Sequence, residues 1–175
     1  MANGPKENTM SNLKPDIIRE SALNIADRMA QQNEGLTYKP YHDTVGKLTV
    51  GYGRNLEDRG ITFEEAKLML AHDIVEAHTE LWTQFGFFRD LSDVRKAVLM
   101  DMYHNMGITR LLGFEKMIEA IRVKDFDRAA SEMKDSRYWG QVGRRAKRNY
   151  CMMRFNRFFE IENAESYFTN AEYDD

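Results

Sequence analysis

Three oxygen-bearing side chains stand in order between Asn33 and Asn55: Glu34, then Asp43 nine residues on, then Thr49 six further. Two carboxyls in different local settings are what general acid–base work requires, one holding its proton and the other giving its proton up. Glu34 is followed at once by Gly35, a residue on which helices end. The partial negative charge at a helix C-terminus opposes a second negative charge, so that position, with the partial burial expected there, pushes the Glu34 carboxyl upward. Asp43 opens the turn Asp43-Thr44-Val45-Gly46, which leads into the alternating run Leu48-Thr-Val-Gly-Tyr52. An acid on an exposed turn stays ionised, and Thr49 can hold a water but is too weak an acid to replace either carboxyl.

Elements must position these groups. Pro15 suits a first helical turn, and Ile18, Ala22, Ile25, Ala26 and Met29 follow at helical spacing, so a helix buries that face and delivers Glu34 at its end. A small β region is expected at about 36–39, 41–43 and 48–52, with Gly46, Gly51 and Gly53 allowing tight turns and close backbone approach. A polar loop follows from Asn55 to Ile61. Thr62 and Glu65 then form a capping-box signature for a long helix carrying Phe63, Ala66, Leu70, Ile74, Ala77 and Leu81 on one side. Further helices are expected from Ser92 to about Gly107, from Phe114 to about Val123, from Asp125 through Met133, and from Val142 to Phe155, with Tyr138 and Trp139 in a connection as core plugs or, as the lesser alternative, a sugar-stacking surface. The result is an α+β fold, mostly α. Residues 1–14 read as a flexible extension, 15–159 as the folded domain, and 160–175 as an acidic tail.

The composition excludes several classes. Hydrophobic residues make up 42% and charged residues 30%, a globular balance with enough apolar side chains for a core. Net charge is −3, which argues against general affinity for nucleic acid, although the stretch 137–157 is rich in arginine. Cys151 stands alone, so no internal disulfide forms; its setting is that of a buried small hydrophobe. The first residues carry no apolar run of the signal-peptide or membrane-spanning kind, and no zinc-ligand spacing or phosphate-binding glycine loop occurs.

Glu34-Gly-Leu, Tyr41-His-Asp43-Thr44, Gly46, and Leu48-Thr49-Val-Gly51-Tyr-Gly53 together resemble the active-site signature of the phage-type lysozymes. The likeness continues through Asn105-Met-Gly107, Gly113-Phe114, Ala129-Ala130, and Ser136-Arg137-Tyr-Trp139 to Arg148, from about residue 30 to 157. It implies a two-lobed fold, with a β-containing lobe at about 34–75, a helical lobe from 15–33 and about 76–159, and a cleft between them. It also implies cleavage of the β-1,4 bond between N-acetylmuramic acid and N-acetylglucosamine in bacterial peptidoglycan. Glu34 is then the general acid, while Asp43 and Thr49 place and activate the hydrolytic water or stabilise charge on the sugar. Inversion is the implied outcome, with carboxyl groups about 6.5–9.5 Å apart. The chemistry needs no metal or organic cofactor.

The same resemblance pairs Arg145 with Glu34, and Arg54 with Asp73 where relatives have a histidine. Asn105 and Tyr138 become candidate sugar contacts, and His104 stands where relatives place an aromatic. The implied partner is bacterial peptidoglycan, with a holin giving a monomeric enzyme held in the host cytoplasm its access to the wall. No nucleic acid and no stable membrane insertion are expected. Two other readings remain. A lytic transglycosylase would use a glutamate without the aspartate, and a silent wall-binding module would need neither.

Overall fold

A computed structural model describes residues 21–170. The expected start of the first helix at Pro15, Ile18 within it, and the extension over 1–14 lie outside them. The chain divides into two compact units at Thr62/Phe63.

Among its described residues the smaller unit opens with helix α1, Ala22–Glu34, whose N-terminus is capped by Ser21 Oγ accepting from the Asn24 amide at 3.3 Å. It ends on Glu34, and Gly35 takes φ 65°, a left-handed value that suits glycine. No residue of α1 is buried: Ile25 and Met29 are 43% and 56% exposed. The expected buried face is therefore absent, because the short strands of this unit offer too little apolar surface to cover three turns of helix. Strands β1 (Thr37–His42), β2 (Leu48–Gly51) and β3 (Arg54–Asn55) form an antiparallel sheet in that order. Pro40 lies inside β1, where it is tolerated because β1 is an edge strand and its register slips between Thr37 and Tyr41. The expected loop after Asn55 holds a short helix, α2 (Leu56–Arg59), capped by Asn55 Oδ1 accepting from Asp58 N at 2.9 Å. Lys47 ties the hairpin to α2 through Glu57 at 3.2 Å and Asp58 at 3.0 Å.

The larger unit is helical: α3 (Phe63–Gln84), a 3-10 turn (Gly86–Asp90), α4 (Asp93–Leu112), α5 (Glu115–Arg122), α6 (Phe126–Lys134), α7 (Arg137–Val142), α8 (Arg144–Phe155) and α9 (Ile161–Asn170). On α3 only Ala77 and Leu81 of the expected apolar side are buried, so the core begins in its second half. Ser92 caps α4 and Asp125 caps α6, accepting from Arg95 N at 3.4 Å and Arg128 N at 3.0 Å. Gly107, at φ 74° and ψ 168°, breaks the helical path inside α4 where the sequence places an end, and the helix resumes after it. Helix α8 packs against α4, α6, α7 and α9. Around it Phe88, Leu99, Met102, Leu111, Met117, Ile121, Met133 and Met153 are fully buried, each contributing roughly 1.5–3 kcal/mol. Arg95 closes the base of this bundle: its guanidinium lies 3.4 Å from the Phe126 ring centroid, and Nε donates to Met153 O at 2.9 Å.

Two parts of this unit differ from expectation. Tyr138 and Trp139 lie in α7 rather than in a connection, yet their core role stands: Tyr138 is 4% exposed and Trp139 packs edge-on to Tyr150 and Phe168. The first part of the acidic tail is α9, which buries Ala164 and sets Phe168 5.1 Å from the Tyr150 ring. Its Glu165 pairs with Arg144 at 2.7 Å; Arg154 pairs with Asp127 at 2.7 Å. The basic stretch is thus largely taken up by internal ion pairs. Among the described residues no helix is long and apolar enough to cross a membrane.

Candidate active site

Glu34, Asp43 and Thr49 all belong to the smaller unit. The chain leaves Glu34, runs down β1, turns, and returns along β2 to Gly53, where φ is 71°. There the Glu34 carboxyl lies against the backbone so closely that a Cβ on Gly53 would stand 2.8 Å from Oε2 and 2.9 Å from Cδ. Gly53 therefore serves twice: it adopts a left-handed turn, and it leaves the space the acid occupies.

Asp43 opens a type I turn closed by Gly46 N donating to Asp43 O at 3.0 Å, with Gly46 at φ 84° as the bulge residue. Its carboxylate is fixed by the backbone, since Oδ1 accepts from Val45 N at 3.0 Å and from Lys47 N at 2.8 Å. Both bonds fall on Oδ1, and among the described residues none falls on Oδ2. Asp43 N donates to Lys47 O at 3.0 Å, and Tyr41 pairs with Thr49. That register puts Tyr41, Asp43, Lys47 and Thr49 on one face of the hairpin, with Asp43 and Thr49 diagonal neighbours about 7–8 Å apart. Thr49 is 3% exposed, and its hydroxyl donates to Lys47 O at 3.1 Å. With its proton committed, the Thr49 oxygen can only accept from a further partner.

The exposure of the two acids is the reverse of the expectation from sequence. Glu34 is exposed and Asp43 is half-buried, because the turn folds back over its own aspartate while the helix end projects from a unit with little core.

The remaining candidates divide between the units. In the smaller one, Arg54 Nε donates to Gly60 O at 2.9 Å, tying β3 to the end of α2. In the larger one, Asp73 on α3 stands 3.9 Å from His104 Nδ1 on α4. Arg145, expected beside Glu34, is gripped within its own unit by Asp101: Nε to Oδ2 at 2.8 Å and Nη2 to Oδ1 at 2.9 Å. Asn105 and Tyr138 are brought together, both lining a cleft of about 950 Å³ in the helical unit with Arg110, Glu132, Asp135 and Arg137. The Tyr138 phenol accepts from Asn149 Nδ2 at 2.9 Å, and burial followed by the Asp101 charge pushes it up to about 12.

Asp101 is the residue that sequence reading missed. Burial raises its carboxyl, but hydrogen bonds from Arg145 and Asn149 and the charges of Arg145 and Arg148 outweigh that and hold it below the usual carboxylate range. Two signals could have found it. One is an acid set inside the apolar run Val98-Leu-Met-Asp101-Met102. The other is the row Arg145, Arg148, Asn149 at spacing that shares one helix face. Cys151 is buried as expected, which pushes its thiol up to about 11.

A small antiparallel sheet carrying an acid and a hydroxyl, with a second acid at a helix end and a helical bundle after it, is the layout of a lysozyme-like α+β protein. The phage lysozyme family model matches residues 31–149, and the chain belongs to that family. It is also similar to the probable T4-type lysozyme 1 of Dictyostelium discoideum, at 25% identity over 152 residues covering 69% of this chain and 88% of the relative. Family membership places the chain among the lysozyme-like peptidoglycan hydrolases.

Proposed function

We propose that this protein is a muramidase that hydrolyses the β-1,4 bond between N-acetylmuramic acid and N-acetylglucosamine, with inversion, and that it serves host cell lysis. The observation that carries the reading lies in one small unit. The Glu34 carboxyl is seated on Gly53, and the same hairpin sets Asp43 and Thr49 on one face. Glu34 gives its proton to the leaving glycosidic oxygen as the bond to the anomeric carbon breaks. A water forms the new bond to that carbon, and its proton goes to Oδ2 of Asp43. Thr49 Oγ1 accepts a hydrogen bond from the water's other O–H, which stays on the oxygen as the new anomeric hydroxyl, and this fixes the direction of attack. Asn105 and Tyr138, in the wall of the helical cleft, contact the glycan strand.

Arg145, Arg54 and Asp73 are supporting residues in this scheme. The partner is bacterial peptidoglycan, which a monomeric enzyme reaches from the host cytoplasm once a holin opens the inner membrane. The test is hydrolysis of purified peptidoglycan by the wild type, Glu34→Gln and Asp43→Asn, with the first-formed anomer read by proton NMR. The α-anomer from the wild type, and loss of turnover in both variants, are expected. An initial β-anomer would overturn inversion.

A further inference from the structure

Asp101 projects from a helix whose neighbouring Val98, Leu99 and Met102 are fully buried. Its carboxylate meets Arg145 through two nitrogens, Arg148 Nη2 at 3.3 Å and Asn149 Nδ2 at 2.7 Å, while its own carbonyl accepts from Arg145 Nη2 at 3.0 Å. Asn149, 1% exposed, extends the chain of bonds to Tyr138. Such a cluster is a poor way to gain stability. Partly buried ion pairs recover little beyond their desolvation cost, and here Arg148 Nε is buried without a partner. What the cluster does supply is direction. A guanidinium gripped at Nε and Nη2 by one carboxylate is planar and fixed, and the nitrogen that Asp101 does not take, Nη1, then has one orientation.

We propose that Asp101 is a positioning residue of the hydrolase, acting through Arg145: it locks the guanidinium so that Nη1 is presented in a single direction during the reaction. The Asn149–Tyr138 extension anchors Asp101 in turn. This deepens the muramidase reading and rests on it for its activity readout.

The test compares kcat and KM on purified peptidoglycan for the wild type, Asp101→Asn, Arg145→Gln, the double variant, and Arg145→Lys. Arg145→Lys retains the charge but cannot be gripped at two nitrogens. Asp101→Asn is expected to lower kcat roughly ten- to a hundredfold, by analogy with outer-shell partners elsewhere, with KM changed less than about threefold. Arg145→Lys should lose as much as Arg145→Gln, and the double variant should be no worse than Arg145→Gln alone. Wild-type kcat in Asp101→Asn, multiplying losses in the double variant, or full activity in Arg145→Lys would each overturn the proposal. If Asp101→Asn does not fold, the Arg145→Lys comparison decides alone. No product from the wild type would instead bring down the muramidase reading, and the positioning role with it.

Discussion

Gly53→Ala isolates the seat of the proposed acid. The substitution has two consequences that can be separated. A Cβ at φ 71° carries the left-handed penalty of roughly 1–2 kcal/mol, which in a chain of this size lowers Tm by about 2–8 °C. It would also stand 2.8 Å from Glu34 Oε2, so the carboxyl must move by several tenths of an ångström or more. A displacement approaching 1 Å costs up to about a hundredfold in rate. Gly51→Ala is the matched control, with φ 67° and nothing within 4 Å of its added Cβ. Thermal melts and initial rates on purified peptidoglycan are to be measured for both. Similar Tm losses are expected, with a rate loss at least tenfold larger for Gly53→Ala. Equal rate losses in the two variants would refute the claim that the Gly53 surface holds Glu34 in place.

Other expectations follow from the helical unit. Phe168→Ala removes a half-buried ring packed on Trp139 and Tyr150 and should cost roughly 1–3 kcal/mol by chemical denaturation; an unchanged midpoint would mean that α9 adds nothing to the fold. Asp101 has a depressed folded-state value, so its contribution to stability is present above the unfolded value of about 3.9 and is lost as pH falls through the folded one. Asp101→Asn should therefore flatten the acid side of a stability-versus-pH curve below about pH 4, and an identical acid limb in the variant would contradict the ion-pair assignment. Buried Cys151, with its thiol pushed up to about 11, should react with a thiol reagent only on unfolding; rapid reaction of the native protein would show the residue to be accessible.

Local signals were legible where the chain caps its own helices. Gly35 after Glu34, Ser92 before α4 and Asp125 before α6 mark boundaries the structure keeps: Ser92 and Asp125 accept from amides three residues on, and Gly35 turns the chain out of the helix at a positive φ. The Asp43 turn and its Gly46 bulge were legible for the same reason. What tertiary packing decides was less so. Helix α7 holds a glycine and two aromatics and has little propensity of its own; Trp139 set against Tyr150 and Phe168 holds it in place. Helix α9 was hidden by its acids, although Ile161, Ala164, Tyr167 and Phe168 keep helical spacing within the run. Glu34, Asp43 and Thr49 were singled out by their residue types and their order in the chain. Asp101 was not, because a carboxylate among apolar neighbours acquires meaning only when Arg145 and Asn149 arrive from a helix more than forty residues away.

The central claim is that Glu34 donates the proton in a hydrolysis. Mass spectrometry of the sugar ends released from purified peptidoglycan by the wild type and Glu34→Gln tests it most directly. Reducing N-acetylmuramic acid ends are expected from the wild type, and a rate reduced about 10²–10⁴-fold in the variant. Wild-type products ending in 1,6-anhydro sugars, or undiminished release by Glu34→Gln, would contradict it.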